Sequence, residues 1–352
     1  MTESGDGQGA QPDHVAAGAV DVHGHAVPEP FLTEIAGRAD GICGVTAELD
    51  GEDWYVRMPA ATSPLVVRPG MRDAGRRRRW MDDNGIGLQM LSPWLDVQMS
   101  AGMTAATGRD WVRRLNEAMV AEQATSEGRH RALASVALHH PEQAAADLVD
   151  SVRTLGMSGL LLSTHPVEHQ LDDAAMEPVW SAAEELRVPV VLHPPTVGPH
   201  SAIPGAEAYG NAFGRLIDST LVLATLLLGG LLDRHPNLVL VAVHGGGFLP
   251  YQAKRLDGAC TVGPLRQRVP ERGKPSAYLP SLYYDTVALS APSIRLLTEV
   301  AGPEHVLLGT DYPFPLGGGG PVQTIRDVGL APDDTRRVLR DNSLAIFGGT
   351  DA

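Results

Sequence analysis

Residues 237–247 read NLVLVAVHGGG. A short run rich in Leu and Val, with nothing charged in it, has the pattern of a buried β-strand. It ends at His244, and three glycines follow. A titratable ring at the carboxyl end of a buried strand, with no side chains behind it, is an unusual use of a strand end. A lone histidine in apolar surroundings is usually a hydrogen-bonded core residue, so the rest of the chain has to decide its role. Its neighbours begin to do so: a helical pattern covers about 212–232 before the strand, and a second follows the glycines.

The same alternation extends in both directions. Strand-like segments fall at 19–23, 86–91, 132–138, 159–164, 188–193, 237–244, 282–286 and 305–310. Helical patterns lie between most of them, at 111–128, 141–156, 172–187, 212–232 and 292–301, with a last one at 332–346. The 141–156 segment opens on Pro and closes on Gly, the expected asymmetry of a helix. Eight such alternations predict a (β/α)8 TIM barrel. An open doubly wound sheet would need a Gly-rich phosphate turn after its first strand, and none follows residues 19–23. Residues 38–75, rich in Gly, Pro and Asp and without clean periodicity, read as an insertion after strand one. Residues 1–18 read as a disordered N-terminal tail and 19–352 as a single barrel domain. The loop at 194–211 is long enough to serve a function.

Bulk properties narrow the partners. The chain has 352 residues, 43% of them hydrophobic, and a formal charge of −14. That charge argues against nucleic acid, which needs a basic face. The four arginines 76–79 read as a solvated helix face. Cys43 and Cys260 are the only cysteines, which suits a reducing cytoplasm better than a disulfide framework. The start has no signal-peptide pattern, and the longest apolar run, 221–232, reads as a core helix, so neither a membrane nor export is expected.

In a TIM barrel, chemistry sits at the carboxyl ends of the strands. Strand one runs into His23 and His25, and alternate residues on a strand face the same side. Strand five ends at His193, strand six at His244 and strand seven at Asp285, while Asp311 follows strand eight. Each alone has a bland reading: a core histidine, a capped strand end, an N-cap before Tyr312. Together, imidazoles and carboxylates at strand ends point to a metal site, and that donor set suits Zn2+. The other histidines share no such pattern. His139 and His165 lie near strand ends and could support the site from behind, whereas His305 opens its strand at the wrong end.

The ordered motifs DVHGH (21–25), VVLHPP (190–195), HPNLVLVAVHGGG (235–247) and LLGTDYPFP (307–315) resemble the metal-dependent decarboxylase branch of the amidohydrolase superfamily. The nearest likeness is to the 2-amino-3-carboxymuconate-6-semialdehyde decarboxylases, with γ-resorcylate decarboxylases more distant. The resemblance covers about residues 19–347 and implies the same barrel. It implies His23, His25, His193 and Asp311 as metal ligands, with Zn2+ as the ion, one per chain, and Mn2+ as the alternative. It implies His244 as the histidine that moves protons beside the metal-bound water, with Asp311 sharing the catalytic centre. Arg255 matches an arginine that such enzymes lend across a homodimer interface to the substrate carboxylate, and Arg68 lies near the place of a second carboxylate-binding arginine. Two departures stand out. Pro195 replaces an aromatic residue after the strand-five HP pair, and the insert at 38–75 differs, so the substrate need not be the same. Strand four, GLLLST, carries no lysine to bridge a second metal. The implied function is non-oxidative decarboxylation of an unsaturated or aromatic carboxylic acid. The rival reading keeps the site and uses it for hydrolysis or hydration, and a non-catalytic binding protein on the same scaffold is the third.

Overall fold

The computed structural model describes residues 18–348, apart from 100, 167, 269, 315 and 317–319. The tail read over 1–18 lies, except for Gly18, outside the described residues. All eight expected strands form: β1 (Ala19–Ala26), β5 (Ile86–Pro93), β6 (His130–Ala132), β7 (Leu160–Ser163), β8 (Val190–His193), β9 (Leu240–Ala242), β10 (Tyr283–Asp285) and β11 (Val306–Leu307). They pair in parallel in the orders β1-β5-β6 and β7-β8-β9-β10-β11. The two runs are stitched at one seam by the Ala134–Leu160 bridge, with Ala134 N–H donating to Gly159 O at 2.8 Å. At the other seam Val22 N–H donates to Leu308 O and His25 N–H to Tyr312 O, at 2.9 and 2.8 Å. Val22, Met90, Leu161, Val191, Val241 and Leu307 fall in one buried cluster drawn from strands all round the ring, as the filled interior of a barrel requires.

The helices pack outside. Leu148, Trp180, Leu223 and Ile294, one from each of four helices, join a second core against the outer faces of the strands. The helical run from Gly210 to Leu228 has 19 residues, enough by length and composition to cross a bilayer. Its Val222, Leu223, Leu226 and Leu227 are instead buried in that core. The helix expected at 332–346 forms over Pro332–Phe347, with one wider helical turn at Arg337–Asp341 inside it.

Two readings of the sequence need correction. The insert is not unpatterned: β2 (Thr46–Asp50), β3 (Asp53–Arg57) and β4 (Leu65–Val67) form an antiparallel sheet. Trp54, Val56 and Val67 face a third core with Phe31 and Trp111. β2 is largely exposed, so it carries almost no apolar alternation to read. The arginine run is not a solvated face throughout either, because Arg77 is wholly buried. The Ala74–Asp83 helix lies against the start of the barrel, and Arg77 donates to the carbonyls of His25 and Met71, both at 2.9 Å. Buried N–H groups that meet carbonyl oxygens are satisfied, so a guanidinium can serve as a strut there.

Candidate active site

The carboxyl ends of the strands bring His23, His25, His193 and Asp311 together, all buried, with one donor atom of each within 4.8 Å of the others. β1 supplies the first two. His23 Nε2 and His25 Nε2 are 3.1 Å apart, and Asp311 Oδ1 lies 3.3 and 3.2 Å from them. The segment after β11 brings Asp311 back to β1, where its N–H donates to His23 O at 2.8 Å.

The other nitrogen of each ring is already engaged. His23 Nδ1 faces Asp285 Oδ2 at 2.6 Å, at the end of β10. His25 Nδ1 faces Ser92 Oγ at 3.0 Å, and that hydroxyl donates onward to Gly24 O. His193 Nδ1 donates to Pro194 O at 2.8 Å. A protonated Nδ1 in each ring leaves the lone pair on Nε2, and all three lone pairs point inward. His193 Nε2 is buried with no hydrogen-bond partner among the described residues. Two imidazole lone pairs 3.1 Å apart repel unless a cation lies between them. The donor set, the orphaned His193 nitrogen and the engaged outer nitrogens all fit a divalent metal.

The electrostatics agree with ligands kept unprotonated. Burial, aided by the charge of the neighbouring imidazole of His23, lowers His25 to about 4. Burial and the surrounding imidazoles drive His193 well below its ordinary value. Burial alone would raise the Asp311 carboxyl, but His23 and the hydrogen-bonding His244 and His25 outweigh it and hold it well below the carboxylate range. His23 goes the other way: burial lowers it, and the carboxylates of Asp311 and Asp285 more than compensate.

His244 stands just past β9, with Nε2 3.8 Å from Asp311 Oδ2 and its ring 5.3 Å from those of His23 and His193. Its φ is +56° and that of Asp311 is +59°. Non-glycine residues pay on the order of 1–2 kcal/mol for that region, so both are held there by the turns around them. Gly245, Gly246 and Gly247 are also left-handed. Their main constraint is the chain: a Cβ on Gly246 would lie 2.8 Å from the Tyr284 ring, and one on Gly247 2.4 Å from Leu216 O. Asp285, noted in the sequence only as a strand end, ties the arrangement together. It engages His23 with one oxygen and accepts the Gly245 N–H with the other at 2.9 Å.

Two chambers open beside the cluster. One, of about 350 Å3, is lined by His244, Asp311, Asn211, Phe248, Tyr251 and Ser293 among others. The second, of about 650 Å3, lies between the insert and the 312–314 segment, with Arg68, Arg76, Trp80, Trp94, Tyr312 and Phe314 in its wall. Arg68 is therefore in a cavity, but not in the one that contains His244. Arg255 is exposed on the Leu249–Ala259 helix and lines neither chamber. His139 and His165 are apart from the cluster: His139 contacts Met103 O, and His165 contacts Thr164 Oγ1.

An amidohydrolase family model matches residues 20–349. The chain belongs to the amidohydrolase family. Among relatives of this amidohydrolase, the 2-amino-3-carboxymuconate-6-semialdehyde decarboxylase of Dictyostelium discoideum is 24% identical over 339 residues, covering 94% of this chain and 91% of that protein. The γ-resorcylate decarboxylase of a Polaromonas strain is 30% identical over 254 residues, covering 68% and 76%. Among solved structures, a dihydroxybenzoic acid decarboxylase from Polaromonas with bound manganese and the inhibitor 2-nitroresorcinol superposes with a TM-score of 0.74 at 22% identity, covering 95% of this chain and 98% of that one. That likeness supports the TIM barrel of the amidohydrolase superfamily as the fold of this chain.

Proposed function

We propose that this amidohydrolase is a metal-dependent, non-oxidative decarboxylase of an unsaturated or aromatic carboxylic acid. The observation that carries the reading is the convergence of His23, His25, His193 and Asp311 beside His244, at the edge of a chamber large enough for one small ring. The decarboxylase names of its relatives support it. Zinc is the ion we assign, because three imidazoles and one carboxylate suit it. Manganese, bound in the Polaromonas structure, is its competitor.

The chemistry sets what the residues must do. Direct loss of CO2 from an sp2 carbon would leave its electron pair in an unconjugated orbital. A proton must first reach that carbon and make it tetrahedral; the C–C bond then breaks and its pair restores the conjugation. A divalent metal in this pocket supplies a Lewis acid that polarises a substrate oxygen. His244 carries the proton: its Nε2 points to Asp311 and its ring borders the chamber. Asp311 faces that ring as a nearby charge, and Asp285 fixes His23 by a hydrogen bond. Arg68 recognises an acidic group reaching into the larger chamber, where it has no ion-pair partner among the described residues.

The working form we assign is a homodimer in which Arg255 of one chain reaches the partner's substrate carboxylate. Phe213, Phe248, Leu289 and Leu316 are exposed near the smaller chamber, as an association surface would have them. The helix bearing Phe248 at its start also bears Arg255. Mixing inactive Arg255→Ala and His244→Ala chains should restore part of the activity in hybrid dimers, and verified hybrids without recovery reject the shared pocket. The free thiols Cys43 and Cys260 fit a cytoplasmic setting.

The test of the activity is a panel of aromatic and muconate-type acids offered to the metal-loaded protein, with released CO2 and product mass as readouts. Equal amounts of CO2 and of a product lighter by CO2 are expected. A product heavier by one water with no CO2, or no turnover of any acid, overturns the reading.

A further inference from the structure

Arg215 lies more than one turn into the helical run Gly210–Leu228 and is only 8% exposed. Its guanidinium lies over the Phe314 ring, 5.6 Å from the ring centre, and the same ring meets His25 edge-on at 5.6 Å. One hydrogen bond is made: Nη2 donates to Thr196 Oγ1 at 3.1 Å, and Thr196 is itself tied to Asp96 through its Oγ1 and its N–H, at 2.7 and 3.2 Å. Among the described residues no carboxylate pairs with Arg215, and its Nε and Nη1 have no hydrogen-bond partner. Those two atoms are not among the polar atoms sealed from solvent either.

Stability does not explain such a residue. A largely buried charge without a counter-ion costs free energy. Arg77, another buried arginine of this fold, is held differently: both its terminal nitrogens donate, to the carbonyls of His25, Met71 and Gly70 and to Gln89, and only its Nε is left without a partner among the described residues. Arg215 is tethered at one corner and left open along the rest. A planar fork held in that state, beside an aromatic ring that meets a metal-ligand histidine, is prepared for a planar oxyanion.

We infer that Arg215, which lines neither chamber itself but lies over Phe314 in the wall of the larger one, is an anion clamp that binds the carboxylate or the ionised hydroxyl of the substrate while Phe314 lies against it. The inference rests on the proposed activity on an unsaturated or aromatic acid. It assigns to each pocket one cation that does not come from a partner chain, and it makes the loop bearing Thr196 part of substrate recognition.

The test is calorimetric titration of the metal-loaded protein with 2,6-dihydroxybenzoate and with 2-nitroresorcinol, which lacks the carboxylate, in wild type, Arg215→Met and Arg215→Lys. Metal content and melting temperature verify that each variant is folded and loaded. Arg215→Met should weaken binding about 10- to 100-fold, the loss expected for a charge-assisted hydrogen bond, and Arg215→Lys should recover part of it. On any acid the enzyme turns over, KM should rise more than kcat falls, as for a contact made before the chemistry. Wild-type affinity in a loaded Arg215→Met protein overturns the clamp and leaves the proposed activity standing. A wild-type protein that binds neither compound and turns over no acid removes the activity itself, and the clamp with it.

Discussion

The chamber at His244 and the chamber at Arg68 take part of their walls from the same segment, 311–316, yet they are built on different terms. The smaller is lined by His244 and Asp311 and backed by a chain of committed groups: Asp285 engages His23 and Gly245, and the Asp311 N–H is tied to the backbone of β1, whereas His244 Nδ1 and the Tyr251 hydroxyl in its wall have no hydrogen-bond partner among the described residues. The larger is walled by rings, with Trp80 stacked on Tyr312 at 4.2 Å, and by Arg68 and Arg76, which are exposed. Volume favours the second and chemistry the first. The difference teaches that a reaction centre is recognised by donors held in place from behind, whereas a recognition surface keeps its charges free to meet a ligand.

Substitutions in the two chambers should therefore differ in kind. The largest effect is expected at His193, whose Nε2 has nothing else to bind. His193→Ala should leave well under one metal equivalent by elemental analysis and abolish turnover; full metal content would remove His193 from the ligand set. His244→Ala should keep the metal and lose about 10²- to 10⁴-fold in kcat, the usual worth of a positioned acid or base. Wild-type turnover in that variant would make His244 structural. Asp285→Asn tests whether commitment from behind matters, because it weakens the acceptor for His23 Nδ1 without emptying the site. Metal affinity should fall about 10- to 100-fold, as for other outer partners of metal-bound histidine, measured by competition with a chelator. The smallest effect is expected in the larger chamber. Arg68→Ala should raise KM by about tenfold, a single exposed charge contact, with metal content and kcat nearly unchanged. A collapse of kcat there would erase the distinction between the two chambers.

Much of this was legible before any coordinates. The eight strands could be read because each is a short apolar run between helical patterns, although β6 lies at His130–Ala132 and meets the segment expected at 132–138 only at Ala132. The ligand candidates could be read because a barrel exposes the residues at the ends of its strands, and those ends carry His23, His25, His193 and His244. Asp285 was visible as a strand end, but its bond to His23 spans 262 residues and leaves no local trace. The insert sheet was missed because β2 is solvated and has no apolar period.

The arginines mark the boundary most clearly. Sequence alone supplies the residue type and its position on a helix; it cannot say whether a guanidinium will meet carbonyls, solvent or nothing. Arg77 sits in a run that reads as a solvated face and is buried as a strut. Arg215 had no motif to single it out and lies over Phe314, whose ring meets His25 edge-on. Periodicity and strand-end chemistry are local properties, so the sequence by itself determined the barrel and the ligand candidates. Which side chains surround a buried charge depends on segments brought together from distant parts of the chain, and only the tertiary structure decided that.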